Sequence, residues 1–150
     1  MQNPVFKSAI ETDVPEILGL IKAFYAIDGY DFEKVKIEKS VRTFINDTNL
    51  GELWILKQNT ETIGYVCVTL GFSFEYGGKI AVLDELYIKD AFRNQGLGKI
   101  CLAFVDDFAK EKNIQAIHME VEGHNEAALG LYTSRGFKTK GRRLYTKTYA

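Results

Sequence analysis

The run Arg93-Asn94-Gln95-Gly96-Leu97-Gly98-Lys99 combines the residue types that hold an anion. Two glycines one residue apart let the backbone turn with no Cβ in the way, so successive N–H groups can converge on one point. The run lies between a strand-like stretch, 81–89, and a helix-like stretch, 97–112. A helix starting there adds the positive end of its dipole, and Arg93 and Lys99 add full charges beside it. A pyrophosphate suits that chemistry. Glycine-rich turns between strand and helix also occur without any ligand, and the run lacks the G-x-x-x-x-G-K-[ST] spacing of an NTP-binding loop.

An anion site of this kind needs a strand before it and a helix after it. Leu97, Ile100, Cys101, Phe104 and Phe108 recur at helical spacing, and Ile117, Met119 and Val121 alternate along a strand-like 114–121. Strand, crossover helix and strand make a βαβ unit with parallel neighbours and a right-handed crossover, which puts a ligand at the carboxyl ends of the strands. Upstream, 6–10 reads as a short strand. Asp13-Val14-Pro15-Glu16 marks a helix start with Asp13 as cap. That helix buries Ile17, Leu18, Ile21, Phe24 and Tyr25 and ends near Asp28-Gly29-Tyr30-Asp31, and a second helix, 33–46, carries Val35, Val41, Phe44 and Ile45 on its apolar side. Strands at 53–58 and 62–70 are joined at Asn59-Thr60-Glu61, and a two-residue Gly77-Gly78 turn separates 71–76 from 79–88. Downstream, a helix at 125–134 stops at Arg135-Gly136, and 137–140 and 143–148 read as terminal strands.

Composition bounds the class. With 150 residues, 46% apolar and 13% aromatic, the chain supports one domain, 1–150, with a real core. Nineteen basic against twenty acidic residues, a net charge of -1, leave no global basic field, so nucleic acid is not an expected partner. The opening Met1-Gln2-Asn3-Pro4-Val5-Phe6 has no basic-then-apolar leader, and no apolar run reaches the roughly 18 residues of a membrane span, so a cytoplasmic, soluble protein is expected. Cys67 and Cys101 read as reduced core residues, and His118 and His124 form no metal-ligand pattern, so no metal is expected.

The strand Leu83-Asp84-Glu85-Leu86-Tyr87-Ile88, the Arg93–Lys99 turn, a further strand and then Asn125-Glu126-Ala127-Ala128-Leu129-Gly130-Leu131-Tyr132-Thr133-Ser134-Arg135-Gly136-Phe137 resemble the GCN5-related N-acetyltransferase (GNAT) superfamily. The first motif is similar to that family's acetyl-CoA pyrophosphate loop and the second to its N-x-x-A-x-x-x-Y-x-x-x-G-F helix. The resemblance covers 81–137 closely, and the earlier helix-helix-strand order more loosely. It implies an α/β (α+β) GNAT fold in one domain, with a mixed, mostly antiparallel central sheet, one parallel strand pair and helices on both faces. It also implies an acetyl-CoA cosubstrate held by Arg93, Asn94, Gln95, Gly96, Leu97, Gly98 and Lys99, by the backbone of Leu86, Tyr87 and Ile88 as an added strand, and by Asn125, Ala128 and Tyr132. Asn125 doubles as a helix cap. A homodimer is allowed.

The chemistry implied is transfer of an acetyl group to a primary amine of a small molecule or peptide by direct attack. An aliphatic ammonium has an ordinary pKa near 10.4, so its neutral form lies about 4–5 kcal/mol uphill at pH 7. In the family a carboxylate of the strand before the loop takes the proton. Asp84 and Glu85 occupy that strand, and because neighbouring strand residues point to opposite faces, only one reaches the groove unless a bulge intervenes. By analogy with the polyamine-type N-acetyltransferases, Asp84 is read as the base and Glu85 as the anchor of the amine. Either could instead pair with Arg93 or Lys99 or stay solvated. Tyr132 is implied as the acid that protonates the departing thiolate. For the acceptor, Tyr25, Asp28, Tyr30 and Asp31 offer negative charge and aromatic faces to a cation; a solvated loop with tucked aromatics is the plainer reading. The alternative function is a non-catalytic acyl-CoA binding and sensing module, which would keep the loop and need neither Tyr132 nor an ionised carboxylate.

Overall fold

The computed structural model describes residues 3–149; Met1, Gln2 and Ala150 lie outside that range. The chain forms two compact units, one ending at Glu120 and one starting at Val121. The first holds a sheet of five strands in sequence order: β1 (Val5–Ser8), β2 (Gly51–Gln58), β3 (Glu61–Ser73), β4 (Gly78–Ile88) and β5 (Ala116–His118). Strands β1 to β4 pair antiparallel, and β5 pairs parallel to β4 through Ile80↔Ala116, Ala81↔Ile117 and Val82↔His118. The expected βαβ unit is therefore present, its crossover being α3 (Leu97–Glu111).

Helices α1 (Val14–Asp28) and α2 (Lys34–Ile45) cover one face of the sheet. There Ile17 and Ile21 of α1 and Val41 of α2 share a buried cluster with Leu53, Ile55, Tyr65 and Tyr87 of the strands. The alternate residues of the same strands face α3. Trp54 packs edge-on against Phe104 and Phe108, with ring centres 4.9 and 5.0 Å away, and Phe6 stacks on Phe104 at 4.0 Å. Each fully buried aliphatic side chain here contributes about 1.5–3 kcal/mol of transfer free energy, so both faces of the sheet are anchored.

Several local expectations are corrected. Asp13 precedes α1 but does not cap it: its carboxylate accepts from the Ile10 amide at 2.9 Å and from Lys7 Nζ at 2.7 Å, closing the short 3-10 turn Glu11–Asp13. Val35 is 85% exposed; Ile37, Val41 and Phe44 follow the i, i+4, i+7 stripe that meets the sheet, and Val35 falls off it. In α3 the buried side is Leu97, Cys101, Leu102, Val105, Phe108 and Ala109, whereas Ile100 and Phe104 are half-buried. The stretches 62–70 and 71–76 are not separate strands: β3 runs to Ser73, which pairs with Gly78 across the loop Phe74-Glu75-Tyr76-Gly77, and the left-handed turn falls on Gly77 at φ 83°.

The second unit consists of α4 (Glu126–Ser134) and the segment after it. Among its described residues there is no strand, so the terminal strands expected at 137–140 and 143–148 are absent. Alternation alone does not make a strand without a ladder partner, and Leu144 and Tyr145 are 70% and 86% exposed. No helix among the described residues is long and apolar enough to cross a membrane.

Candidate functional site

The register of β3 on β4 slips by one residue at the point where chemistry was expected. Val68 pairs with Leu83 and Cys67 pairs with Glu85, so Asp84 is the extra residue of a β-bulge. A bulge breaks the strict alternation of strand side chains. Asp84 and Glu85 accordingly line the same cleft of about 260 Å³ on the α1–α2 side of the sheet. Its apolar walls come from Ile21 of α1, Ile37, Val41 and Phe44 of α2, and Leu53 of β2.

Glu85 is held at both oxygens. Tyr25 donates its hydroxyl to Oε2 at 2.6 Å, and Tyr65 donates to Oε1 at 2.6 Å. The rings behind those hydroxyls are packed: Tyr65 is 1% exposed and lies 6.1 Å from Tyr87, and Phe24 lies 6.3 Å from Tyr65 and 6.1 Å from Tyr25. Burial and the neighbouring Glu85 push both phenols above their ordinary value, so they act as donors. Burial raises the Glu85 carboxyl, the two phenol hydrogen bonds pull the other way, and the charge of Asp84 raises it further; the net direction is up. Asp84 lines the cleft and is exposed to solvent, and partial loss of water raises its carboxyl as well. No hydrogen bond to the Asp84 carboxylate is present among the described residues, so the two acids differ: one is clamped and one is available.

The cleft also exposes Cys67, whose thiol is pushed up by burial and then by Asp84 and Glu85. Cys101 is buried in α3 and pushed up to about 12 by burial. Both remain protonated at neutral pH and are poor nucleophiles.

Downstream of the carboxylates β4 runs on to Ile88, while β5 pairs with it only as far as Val82. Among the described residues the ladder partners of 83–88 lie on β3 alone. The bulge begins immediately past the last β4–β5 pair, and the added twist of a bulge is a sufficient reason for the ladder to end there. The chain then turns through Asp90–Phe92 into the glycine-containing run. Asn94 at φ 62° and Gly96 at φ 77° supply the left-handed positions; Gly98, expected to share that task, lies in the first turn of α3. The helix's own ladder opens with Ile100 N–H donating to the Gly96 carbonyl at 3.3 Å, so the amides of Leu97, Gly98 and Lys99 are not used by it. That turn carries no acidic residue. Arg93 remains beside it, with its hydrogen bonds directed back: Nε donates to the Ile88 carbonyl at 2.9 Å, NH1 to Asp90 at 3.3 Å, and the guanidinium lies 5.6 Å from the Tyr87 ring centre. Arg93 thus fixes the end of β4 to the loop.

Within the second unit the Asn125, Ala128, Tyr132, Gly136 and Phe137 spacing has a local explanation. The Asn125 side chain caps α4 by accepting from the Ala128 amide at 3.1 Å. Gly136 turns the chain at φ 92°, and Phe137 returns to donate its amide to the Tyr132 carbonyl at 3.1 Å, its ring edge-on to that of Tyr132 at 6.0 Å.

Of the residues expected at the acceptor, Tyr25 is in the site through its bond to Glu85, and Tyr30 packs edge-on against Tyr25 at 6.2 Å. Asp28 ends α1 and Asp31 follows in the loop; both are exposed and neither lines the cleft. Tyr65 was not singled out from sequence. Its signal is a phenol hydroxyl within the apolar run 63–68, on the same face as Cys67.

The profile of the Acetyltransferase (GNAT) family matches residues 21–137. The chain is 28% identical over 131 residues to the Homo sapiens protein "Spermidine/spermine N(1)-acetyltransferase-like protein 1", a match that covers 83% of this chain but 19% of that protein. It is 26% identical over 137 residues to "Uncharacterized N-acetyltransferase in pepI 3'region" of Lactobacillus delbrueckii subsp. lactis, covering 84% of this chain and 79% of that one. Among solved structures, an integron cassette protein from the mobile metagenome of Cole Harbour Salt Marsh superposes with a TM-score of 0.85 at 28% identity, over 97% of this chain and 90% of its own.

Proposed function

The chain belongs to the GNAT family of acetyl-CoA-dependent acetyltransferases, and from that premise we propose that it acetylates a primary amine of a small molecule or peptide by direct attack, residues 1–150 acting as one catalytic domain. The observation that carries this reading is the bulge that gives Asp84 and Glu85 a common cleft, one carboxylate clamped and the other available. Glu85, ordered by Tyr25 and Tyr65, draws the ammonium in. Asp84 takes its proton, and the neutral nitrogen attacks the thioester carbonyl carbon; the N–C bond forms as the C–S bond breaks. Tyr132 gives its proton to the departing sulfur, and its phenolate takes back the second proton that the acylated nitrogen releases to become the amide.

The residues present fit a pyrophosphate and a pantetheine arm. Unused helix amides, two left-handed backbone positions and the absence of acid in the first turn of α3 suit the anion. The stretch of β4 past its β5 partners suits an extended chain. On this reading Leu86, Tyr87 and Ile88 would hold the pantetheine by their backbone, Arg93 to Lys99 the phosphates, and Asn125, Ala128 and Tyr132 the arm nearer the thioester. When bound, acetyl-CoA supplies the activated acyl group.

The test is a panel of primary amines, amino acids, peptides and aminoglycosides mixed with protein and acetyl-CoA, with free thiol and acetylated product measured together. Acceptor-dependent thiol with matching amide is the expected result. Absence of both across the panel, with acetyl-CoA still raising the Tm, would replace the enzyme with a cofactor-binding module.

A further inference from the structure

Resting on the acetyl-transfer reading, we infer that the acceptor is a primary monoamine with an apolar body, an alkyl- or aralkylamine, rather than a polycation. The cleft joins a pair of acids to a mostly apolar lining. Its acidic groups are Asp84 and Glu85, adjacent on β4, so negative charge is concentrated where a single ammonium would sit. Away from them Ile21, Ile37, Val41, Phe44 and Leu53 cannot pair a second ammonium; the hydroxyls among them belong to Ser40, which donates to the Lys36 carbonyl at 3.0 Å, and Thr69, and neither carries charge.

The charged group that α2 contributes to the lining is Lys36, of the wrong sign for a second cationic nitrogen. Lys36 is 77% exposed in its side chain, and its nearest acid, Glu33, stands at 4.0 Å, so its charge is weakly countered. Asp28 and Asp31 lie outside the lining. An ammonium carried into apolar walls without a partner keeps the cost of its lost hydration. A methylene in the same place gains about 0.8 kcal/mol, close to fourfold in affinity. The volume of about 260 Å³ falls just under the range of drug-sized pockets and suits a small body.

The direct comparison is n-heptylamine against hexane-1,6-diamine, which match in heavy-atom count and differ in one terminal methyl or ammonium. Rates of thiol release give kcat/KM, and thermal shift with CoA present gives binding without turnover. The expected result is kcat/KM at least about tenfold higher for heptylamine, with kcat/KM rising roughly fourfold per methylene from propylamine until the cleft is full. Lys36→Glu is expected to raise kcat/KM for the diamine relative to heptylamine. Equal or better use of the diamine by the unmodified protein would overturn this inference and leave acetyl transfer standing. Preferential binding of heptylamine with no thiol release from any amine would overturn acetyl transfer and leave the ligand class standing. Neither binding nor turnover of either amine would overturn both.

Discussion

Tyr65→Phe removes one hydroxyl and nothing else. The ring stays in a site where it is 1% exposed, so packing against Phe24 and Tyr87 is preserved and no large cavity is made. What is lost is the 2.6 Å bond to Glu85 Oε1. A hydrogen bond to a charged group is worth about 1.5–3 kcal/mol, against about 0.5–1.5 kcal/mol to a neutral one. The difference, about 1 kcal/mol, falls on the ionised carboxylate, so the Glu85 carboxyl should rise further. Glu85 already stands above its ordinary value because burial outweighs its two phenol donors. A carboxyl raised in the folded state contributes stability below its unfolded value, near 4.3, and that stability is lost as pH rises through the folded value. In the variant the loss extends to higher pH. The Tm gap between the two proteins should therefore be small near pH 3.5 and widen toward neutrality. If ionised Glu85 anchors the amine, the acid limb of kcat/KM should move to higher pH, with kcat at high pH nearly unchanged. The assay is a pair of pH series, one of thermal unfolding and one of initial thiol-release rates. Superimposable acid limbs, or a Tm gap independent of pH, would refute the reasoning.

Asp84→Asn removes a carboxylate that is disfavoured in its packed surroundings, so its Tm at pH 7 should equal or exceed that of the unmodified protein, with the advantage fading below the unfolded value near 3.9; unfolding at pH 3 and pH 7 checks the sign. Tyr132→Phe should lower kcat by about 10²–10³ with little change in acetyl-CoA affinity, measured by calorimetry beside initial rates. Gly64→Ala would put a Cβ 2.2 Å from the Tyr87 carbonyl oxygen, so β4 must shift just where the pantetheine contact is proposed. It should lose about 1–3 kcal/mol of stability and weaken acetyl-CoA binding, read by denaturant unfolding and direct titration.

What the sequence disclosed follows from which signals are local. The start of α3 after Gly96 and the Asn125 cap of α4 depend on a few neighbouring residues, and both stand where their chemistry put them. The parallel β4–β5 pair followed from a chirality rule that leaves one arrangement for a strand, helix and strand. The exposed Val35 required knowing which face of α2 meets the sheet. The short β5 and the absent terminal strands required knowing whether a ladder partner exists, which alternation does not encode. In the site, Asp84 and Glu85 were visible as a pair of acids, but their common orientation depends on a register slip opposite Cys67 and Val68, a contact made across the sheet. Tyr65 escaped notice for the same reason: its partner Glu85 is 20 residues away in sequence.

The central claim is a division of labour between two adjacent carboxylates, and steady-state kinetics of Asp84→Asn and Glu85→Gln test it side by side with one primary amine. For Asp84→Asn, kcat should fall by about 10²–10⁴ with KM for the amine little changed. For Glu85→Gln, the amine KM should rise by about tenfold or more, the worth of one charge-assisted contact, with kcat largely retained at saturation. The reverse pattern, or no change in either variant, would contradict the assignment.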